Sequence, residues 1–587
     1  MGGSRFRSPA TKKAKGVKMD NNDKRNLYFM VIITTAVLLG WSYFFEKPRQ
    51  AERQQTQATT VASQASIPNA EPVKPVEREE ALKQSKRVLI ETSTLKGSLN
   101  LQGLKIDDII LKNYREAPDP KSEQITFLNP LSSKTPYYGE FGWVSDKKTV
   151  KLPDADTVWT ADQTVLTPKN PVKLFWDNGE DLRFEVEIAV DENYLFSVTQ
   201  RVFNQMKESI TLQPYGLISR HGMPQTSGFM ILHEGPLGYL NNKLQEINYK
   251  DLQKGDQSQI SQGGWLGVTD KYWLTAFIPD QTQEVKASFR QVGSPSQERF
   301  QVDYLMTTPV LQAGGVQETK SSFFAGAKIL NLLDSYEAKL NVKHFDLAVD
   351  FGWFYFLTKP IFHILTLAHE WLGNFGLAIM LLTVLLKLLM FPLANKSYRS
   401  MAQMKRLTPQ ITRLRERYGE DKLRMNQEMM ALYKKEKINP MAGCLPMVVQ
   451  IPVFFALYKV LFVSIEMRQA PFYGWIHDLS APDPTSLFNL FGLLPWTPPT
   501  YLMIGIWPLL MGLSMFVQQK LNPPPSDPAQ AKIFMIMPVM FTVMFAQFPA
   551  GLVIYWTWSN LLTILQQWAM MSLHNKDQQK KAIVKKK

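Results

Sequence analysis

The feature that most constrains this chain is the uneven placement of its long apolar stretches. A helix that crosses a bilayer needs about 20 predominantly apolar residues. Five stretches approach that length, one near the amino terminus and four after residue 373. They cover residues 27–45, 374–393, 443–463, 501–517 and 533–571. Between the first and the second lie more than 300 residues that are too polar to cross a membrane.

The last apolar stretch is long enough for two spans. Phe548, Pro549, Ala550 and Gly551 interrupt it near its middle with residues typical of a turn. We therefore predict six spans, at residues 27–45, 374–393, 443–463, 501–517, 533–548 and 551–571. The first is expected to be an uncleaved anchor, because its apolar run exceeds that of a usual signal peptide.

Basic residues predict the orientation of these spans, since Lys and Arg near span ends stay on the cytoplasmic side. Residues 1–26 hold eight Lys and Arg against two acids, residues 394–440 hold twelve against five, and residues 572–587 hold six against one. Six spans place all three segments on one face. Both termini are therefore predicted to be cytoplasmic, and the region after the anchor to be periplasmic.

The region between the anchor and the later spans divides into two parts. Residues 46–86 are rich in Gln, Ala, Thr, Glu and Pro and predict a disordered linker. Residues 87–342 alternate apolar and polar residues between frequent turns, which predicts a periplasmic antiparallel β-sandwich domain. His221, His233 and Glu234 lie in it without any catalytic motif, so we expect no active site there.

Residues 343–373 are apolar but interrupted at Thr358, Lys359 and Pro360, which favours an interfacial amphipathic helix over a span. A metal site of His363, His369 and Glu370 would lack a convincing further ligand. The single cysteine, Cys444, excludes disulfide scaffolds and cysteine-based metal centres. We expect neither a metal nor a cofactor.

Function is sought among the polar residues inside the spans, because a charge in hydrocarbon is costly and usually faces a cavity. Lys387 is the one charge well inside a predicted span, and Thr383 lies one turn before it on the same face. A functional charge and a lysine that merely reaches the headgroups fit its position equally. Gln450, Ser559 and Asn560 add polar atoms that suggest a partly wet interior, although each alone is typical of helix packing.

Residues 394–440 predict a basic helical hairpin broken at Gly419, between the first two carboxyl-terminal spans. A solvated loop near anionic phospholipid and a docking surface for a partner both fit it. The lysine-rich tail, residues 572–587, fits contact with lipid or with the phosphate-rich surface of a ribosome. We expect no sequence-specific binding of nucleic acid.

Several long segments resemble one family. They are KSYRSMAQMKRLTPQI at 396–411, QEMMALYKKEKINPMAGCLPMVVQIPVFFALYKVL at 427–461, RQAPFYGWIHDLSAPDP at 468–484 and FPAGLVIYWTWSNLLTILQQ at 548–567. They are similar to bacterial YidC-type membrane protein insertases of the Oxa superfamily. The anchor and the periplasmic domain resemble the Gram-negative form, so the resemblance extends over nearly the whole chain.

This resemblance implies a multi-domain membrane protein with an α-helical insertase core of five transmembrane helices, an anchor helix and a periplasmic β-supersandwich. It implies an inner-membrane insertase and folding chaperone that works without ATP on nascent membrane proteins, alone or with the Sec translocon and the ribosome. Its hydrophilic groove carries a positive charge, here Lys387, where the family more often has Arg. Trp556 stands where the family more often has Tyr.

The candidate residues form two sets. The substrate groove set is Lys387, Thr383, Gln450, Tyr555, Trp556, Ser559 and Asn560. The hairpin set is Met401, Lys405, Arg406, Arg413, Arg415 and Arg417. As a hypothesis, a polar N-tail of a nascent span enters the groove toward Lys387, and its apolar segment then slides into lipid. No covalent chemistry is needed.

Two other functional classes are weighed against this reading. A secondary transporter would show repeat symmetry between its halves and more polar residues at mid-membrane. A membrane-anchored periplasmic carbohydrate-processing protein would use the β-sandwich, since such sandwiches also occur in sugar-processing proteins. The first predicts solute flux, and the second predicts that function is lost with residues 88–340.

Overall fold

The computed structural model describes residues 75–147, 149–226, 232–293, 298–352, 354–418, 421–436, 445–499, 502–522 and 528–586. Residues 410–435 belong to one compact unit, and the other described residues belong to a second. The predicted segment 1–26, the anchor 27–45 and most of the linker lie outside the described residues.

The amino-terminal part of the larger unit is rich in β-strands. In chain order they are β1 (Arg87–Glu91), β2 (Leu95–Asn100), β3 (Lys105–Arg115), β4 (Gln124–Leu128), β5 (Tyr137–Ser145), β6 (Thr160–Ala161), β7 (Val165–Leu166), β8 (Val172–Asp177), β9 (Leu182–Val190), β10 (Leu195–Asn204), β11 (Leu212–His221), β12 (Gly235–Leu240), β13 (Lys243–Glu246), β14 (Gln257–Gln262), β15 (Trp265–Thr269), β16 (Trp273–Pro279), β17 (Glu284–Val292), β18 (Arg299–Met306) and β19 (Val316–Ala327).

These strands form two sheets. One has the order β14-β17-β18-β11-β5-β3-β2-β1-β7, with β4 paired to β3, and the other has the order β13-β12-β15-β16-β19-β10-β9-β8-β6. The prediction of a β-rich domain is confirmed. The strictly antiparallel expectation is wrong at one place, because β1 and β7 pair in parallel through Leu89 with Val165 and Ile90 with Leu166.

Period-two patterning explains how the two sheets form one core. Along β9, buried residues alternate with half-buried or exposed ones. Phe141 on β5 and Tyr304 on β18 project from the first sheet to ring-centroid distances of 5.4 and 5.3 Å from Phe277 on β16 of the second. Phe323 on β19 lies 5.0 Å from the same ring. Interlocked aromatic rings therefore fill the space between the sheets.

The last part of the predicted linker is folded, contrary to the sequence prediction. Residues 46–86 were expected to be a disordered linker, but the described part of that range contains a short helix, α1 (Arg78–Lys83). Arg78 forms an ion pair with Asp108 of β3, and Val76 forms a bridge with Ser133. Ala81 is buried. These contacts hold residues 75–86 against the sandwich, so the prediction is wrong there.

The remaining helices lie mostly after the sandwich. They are α2 (Tyr249–Leu252), α3 (Leu330–Leu340), α4 (Tyr355–Leu372), α5 (Phe375–Leu389), α6 (Phe391–Tyr418), α7 (Lys422–Lys435), α8 (Leu445–Val463), α9 (Ile506–Leu521), α10 (Pro528–Phe545) and α11 (Ala550–Lys586). Helix α11 packs along α9 and α5 and touches α8, α9 also packs on α10, and α4 lies against α5 and α8. No break separates the predicted span 551–571 from the predicted tail, because α11 continues through both.

Two helix boundaries differ from the sequence expectation for opposite reasons. The predicted interruption at Pro360 is absent: α4 runs through the proline because the buried side chains of Ile361 and Leu365 fix it against its neighbours. The predicted span 374–393 instead ends at Leu389, and α6 leaves at an angle of 66°. Pro392 explains that break, since proline lacks an N–H and its ring clashes with the carbonyl four residues earlier.

Considered singly, none of the described helices is both long and apolar enough to cross a membrane. The bent pair of α5 and α6 meets the requirement jointly, by length and composition. Val448–Val463 and Ala531–Phe545 are shorter apolar helices. The number and positions of the six spans stay a prediction.

Buried polar contacts join the sandwich to the helices. Asp350 accepts hydrogen bonds from Nζ of Lys459 at 2.9 Å and from the backbone N–H of His233 at 3.0 Å. The ammonium of Lys271 lies 3.7 Å from the ring centroid of Phe462 at the end of α8. Burial lowers the pKa of Lys271 to about 8. Cation–π contacts of this kind strengthen when desolvated.

A second joint lies just after α8. Arg468 donates to the backbone carbonyl of Arg115 at 2.6 Å, and its guanidinium lies 5.4 Å from the ring centroid of Trp273. The hydroxyl of Tyr272 donates to Ser480 Oγ at 3.3 Å. Strands β3 and β16 are thereby fixed to the segment that follows α8.

The aromatic core yields a stability prediction. Phe323→Ala should reduce the free energy of unfolding of the sandwich by about 3–5 kcal/mol, because it leaves a cavity beside the rings of Phe141, Phe196 and Phe277. Urea unfolding of the detergent-solubilised full chain, followed by tryptophan fluorescence, measures it. Val316→Ala on the same strand is the control: its side chain is exposed, so it should change stability by less than about 0.5 kcal/mol. An equal loss of stability in Phe323→Ala and Val316→Ala would contradict the role of Phe323 in the core.

Glu466, two residues before Arg468 in the second joint, predicts a pH dependence of stability. Burial raises the pKa of Glu466 to about 7, and its Oε2 has no hydrogen-bond partner among the described residues. The folded state therefore binds this proton more tightly than the unfolded state, so stability should fall as pH rises from about 4.5 to 7. The wild type should lose on the order of 1–3 kcal/mol of stability between pH 5 and 8, and Glu466→Gln should not show this loss. The exposed Glu79→Gln serves as control, and an unchanged pH slope in Glu466→Gln would refute the assignment.

Candidate functional site

Lys387 lies in the last turn of α5 and reaches the neighbouring helix α11. Its Nζ donates a hydrogen bond to Thr563 Oγ1 at 2.9 Å, and Thr563 in turn donates to the backbone carbonyl of Ser559 at 2.7 Å. The lysine side chain is half-buried. Among the described residues no carboxylate forms an ion pair with it. A cation in an apolar helix is thus held by a neutral hydroxyl.

Thr563 completes a row of polar side chains on α11. Tyr555, Ser559 and Thr563 are spaced by four residues and share one face of the helix. The row extends about 12 Å along the axis, at 1.5 Å per residue. At its other end, the side-chain amide of Gln450 on α8 donates to the hydroxyl of Tyr555. The row therefore connects α8 to α5 through α11.

The other predicted groove residues lie beside this row. The hydroxyl of Thr383 is buried and donates to the backbone carbonyl of Ile379 at 2.7 Å, so it makes no described contact with Lys387. Asn560 donates to Ser514 Oγ on α9 at 2.9 Å. Both contacts stabilise helices or helix pairs.

Trp556 takes part in an aromatic cluster. Its ring centroid lies 4.8 Å from that of Phe454 on α8 and 5.0 Å from that of Phe545 on α10. The cluster borders Tyr555, the next residue of α11. Three helices therefore meet at an apolar contact directly beside the polar row.

Sequence reasoning missed Thr563, and the signal that could have found it is its spacing. It follows Ser559 by four residues, as Ser559 follows Tyr555. A second missed contact is that of the indole N–H of Trp558, which donates to the backbone carbonyl of Met380 at 3.2 Å. Gln567 of α11 also donates to Asn522, just after α9, at 3.1 Å.

The predicted hairpin residues lie in two compact units. In the larger unit, Met401 on α6 is half-buried and accepts a hydrogen bond from Ser397 at 3.9 Å, whereas Lys405 and Arg406 are exposed. The smaller unit carries the other three predicted residues, Arg413, Arg415 and Arg417, all of them exposed. The basic side chains of both stretches are available to solvent.

The alternative sites considered from sequence do not assemble among the described residues. His369 stacks on Phe375 at 3.7 Å, and it forms no cluster with His363 and Glu370 that could hold a metal. Burial lowers the pKa of His221 to about 4 and also lowers that of His233. Both histidines are therefore neutral at physiological pH, as expected of half-buried residues of a sandwich.

One other group has the geometry of metal ligands. Ligand atoms of Glu337, His344 and Asp346 all lie within 4.8 Å of one another. Asp346, however, already accepts from Nζ of Lys359 at 2.6 Å and from the hydroxyl of Tyr355. An ammonium at that distance disfavours a second cation at the same carboxylate, so we assign this group to the packing of α4 against the sandwich.

Comparison with known proteins identifies the family. The family described as "YidC periplasmic domain" matches residues 87–364, and that described as "60Kd inner membrane protein" matches residues 367–578. The membrane protein insertase YidC of Rickettsia bellii is 47% identical over 557 residues, which cover 94% of this chain and 100% of the relative. The chain belongs to the YidC family of membrane protein insertases. The YidC of Rickettsia rickettsii strain Iowa is 47% identical over 554 residues, 93% of this chain and 99% of the relative.

Among solved structures, an active YidC insertase with its first transmembrane domain resolved matches 84% of this chain and 94% of its own, at a TM-score of 0.33 and 16% identity. The family consists of inner-membrane proteins with a periplasmic domain. It is a family of insertases and not of enzymes, which overturns the carbohydrate-processing alternative and the transporter alternative.

The contact of Lys387 with α11 is testable by itself. Thr563→Val should lower the free energy of unfolding by about 1–2 kcal/mol, because it removes the hydroxyl that accepts from the ammonium. Thr563→Ser retains the hydroxyl and should stay near the wild-type value. Unfolding in mixed detergent micelles compares the three proteins. Equal stability of all three would show that the hydrogen bond contributes nothing.

Proposed function

We propose that this chain inserts and folds nascent inner-membrane proteins, alone or with the Sec translocon, along the polar row of α11 that ends at Lys387. The observation that carries the proposal is that Lys387 is a cation partnered by a hydroxyl and by no described carboxylate. The remaining groove candidates flank the row, which extends from Gln450 and Tyr555 to Thr563.

The positive charge of Lys387 determines which kind of substrate segment this arrangement attracts. A charge inside an apolar membrane helix is costly, up to about 2.5–3.5 kcal/mol at the helix centre and less for Lys387 in the last turn, so an uncompensated ammonium attracts an anionic partner. An acidic N-tail of a nascent span supplies one. The hydroxyl and amide groups of Ser559, Thr563 and Gln450 replace part of the hydration that the tail loses. The barrier to its translocation is thereby lowered without ATP.

The apolar segment of the substrate then needs a path into lipid. Helix α10 exposes Ile536, Val539, Met540 and Met544, and its exposed face carries no charged residue from Ile533 onward. Flexible methionine side chains adapt to varied apolar surfaces. Each CH₂ group that leaves water contributes about 0.8 kcal/mol, so burial in lipid completes insertion.

The topology we propose has six spans, with both termini cytoplasmic and the sandwich periplasmic. Helix α4 lies at the periplasmic membrane surface, since Phe356, Leu367 and Trp371 are exposed on it while Ile361 and Leu365 are buried. The basic hairpin of α6 and α7 then faces the cytoplasm. Its exposed Lys and Arg bind phosphates of anionic phospholipid or of the ribosome.

The proposal predicts a charge dependence of insertion. Proteoliposomes holding the full chain should insert a single-span substrate with an acidic N-tail about ten times faster with Lys387 than with Lys387→Ala, for a barrier difference of about 1.4 kcal/mol. Lys387→Arg should retain activity. Lys387→Glu should fail with the acidic tail and recover with a basic one. Protease protection of the N-tail measures insertion.

Lys520→Ala is the matched control, because Lys520 is an exposed lysine in the last turn of α9. It should insert all substrates at the wild-type rate. The charge swap separates an electrostatic role from a folding defect, since a misfolded variant would recover with no tail. Equal insertion by all Lys387 variants would refute the groove proposal and leave snorkelling as the role of this lysine.

A further inference from the structure

A strongly apolar loop precedes α9. Residues 486–499, called here the apolar loop, carry seven large apolar side chains that are exposed, and no charged residue occurs between Asp483 and Lys520. The exposed residues are Leu487, Phe488, Leu490, Phe491, Leu493, Leu494 and Trp496. Leu493 is 82% exposed. A contiguous apolar surface of this kind marks a binding face.

The loop is built to hold these side chains outward. Its base is fixed by Ser486, whose hydroxyl donates to the backbone carbonyl of Leu502 at 3.0 Å, and by the N–H of Leu487, which donates to the carbonyl of Ile504 at 2.9 Å. Leu490 and Phe491 adopt left-handed φ angles of 50° and 58°. Such conformations cost about 1–3 kcal/mol each for non-glycine residues, so this display is maintained against strain.

Contacts at the base place the loop at the starts of α9 and α11. Asp483 accepts from the N–H of Trp507 in the first turn of α9 at 2.9 Å and from the indole of Trp475 at 3.1 Å. The N–H groups of Ala550 and Gly551, which start α11, donate to carbonyls of residues 481 and 479. The loop therefore begins at the level where α9 and α11 start.

The position of the apolar loop at the starts of α9 and α11 favours lipid as the partner that covers its side chains. Helix α9 continues directly from the loop and exposes Leu510 and Leu513, so apolar exposure runs along the chain from the loop into the helix. Trp475 and Trp496 are exposed at this end of the helices. Tryptophan concentrates at the boundary between hydrocarbon and headgroups. If the partner were a soluble protein, the absence of charged residues over the whole segment would have no explanation.

We propose that the apolar loop inserts into the bilayer interface at the ends of α9 and α11 and anchors both helices at a fixed depth. The lipid surface covers the seven side chains, and the hydrogen-bonded base around Asp483 and Ser486 remains at headgroup level. This role is independent of the groove and of Lys387. It rests on the proposed topology, in which α9 and α11 cross the membrane.

Depth-dependent quenching of a fluorophore tests the proposal. In a Cys444→Ser background, Leu493→Cys carries an NBD label, and the full chain is reconstituted in phosphatidylcholine and phosphatidylglycerol vesicles that contain lipid with a doxyl group at carbon 5 or carbon 12. We expect a blue-shifted emission and the loss of about half of it with the shallow quencher, with less loss at carbon 12. Val316→Cys, exposed on the sandwich, is the matched control and should lose nothing.

Three outcomes would overturn the proposal. The loop label could remain as unquenched as the label at position 316, which would leave the loop in water. It could be shielded only after a nascent chain or the Sec translocon is added, which would make a protein the occupant. Stronger quenching at carbon 12 would place the loop in the hydrocarbon core instead of the interface. Insertion activity of the labelled protein distinguishes all three from a failure of the groove proposal.

Discussion

The cost of leaving polar groups unpaired among apolar helices organises the carboxyl-terminal part of this chain. Three polar side chains of α11 find partners on three other helices: Thr563 bonds Lys387 on α5, Tyr555 bonds Gln450 on α8 and Asn560 bonds Ser514 on α9. If these groups were unpaired and out of contact with water, each would cost several kcal/mol of free energy. Helix α11 is therefore the element against which the other helices are positioned.

A similar requirement connects the helices to the sandwich. Asp350 and Lys459 are both half-buried and pair across the joint, and Arg468 donates to a strand of the first sheet. Removing one partner of such a pair leaves an uncompensated charge, at a cost of about 3–5 kcal/mol. The sandwich thus fixes the end of α8 and the segment after it. That segment in turn holds the starts of α9 and α11.

Local patterns in the sequence predicted the β-rich domain and the apolar helices, because alternation and apolar run length depend on near neighbours. They failed where distant contacts or single residues decide. Packing holds α4 straight through Pro360, whereas Pro392 ends α5 early. In the candidate site, Lys387, Gln450 and Ser559 were identified as polar exceptions in apolar stretches. Thr563 was missed because its four-residue spacing from Ser559 was not followed along α11, and that spacing becomes informative only when a neighbouring helix presents a lysine to the same face.

The chemistry of that partner bears on the proposed mechanism. A carboxylate beside Lys387 would form a buried ion pair that costs about 3–5 kcal/mol to break, and an incoming acidic tail would have to displace it. A hydroxyl forms a weaker contact with the ammonium, a hydrogen bond worth about 1–2 kcal/mol. In the proposed mechanism, the hydroxyl of Thr563 holds the ammonium in place between substrates and yields to a carboxylate, which binds more strongly. On that proposal, the weakness of this contact allows the same lysine to be ordered at rest and available to each new chain.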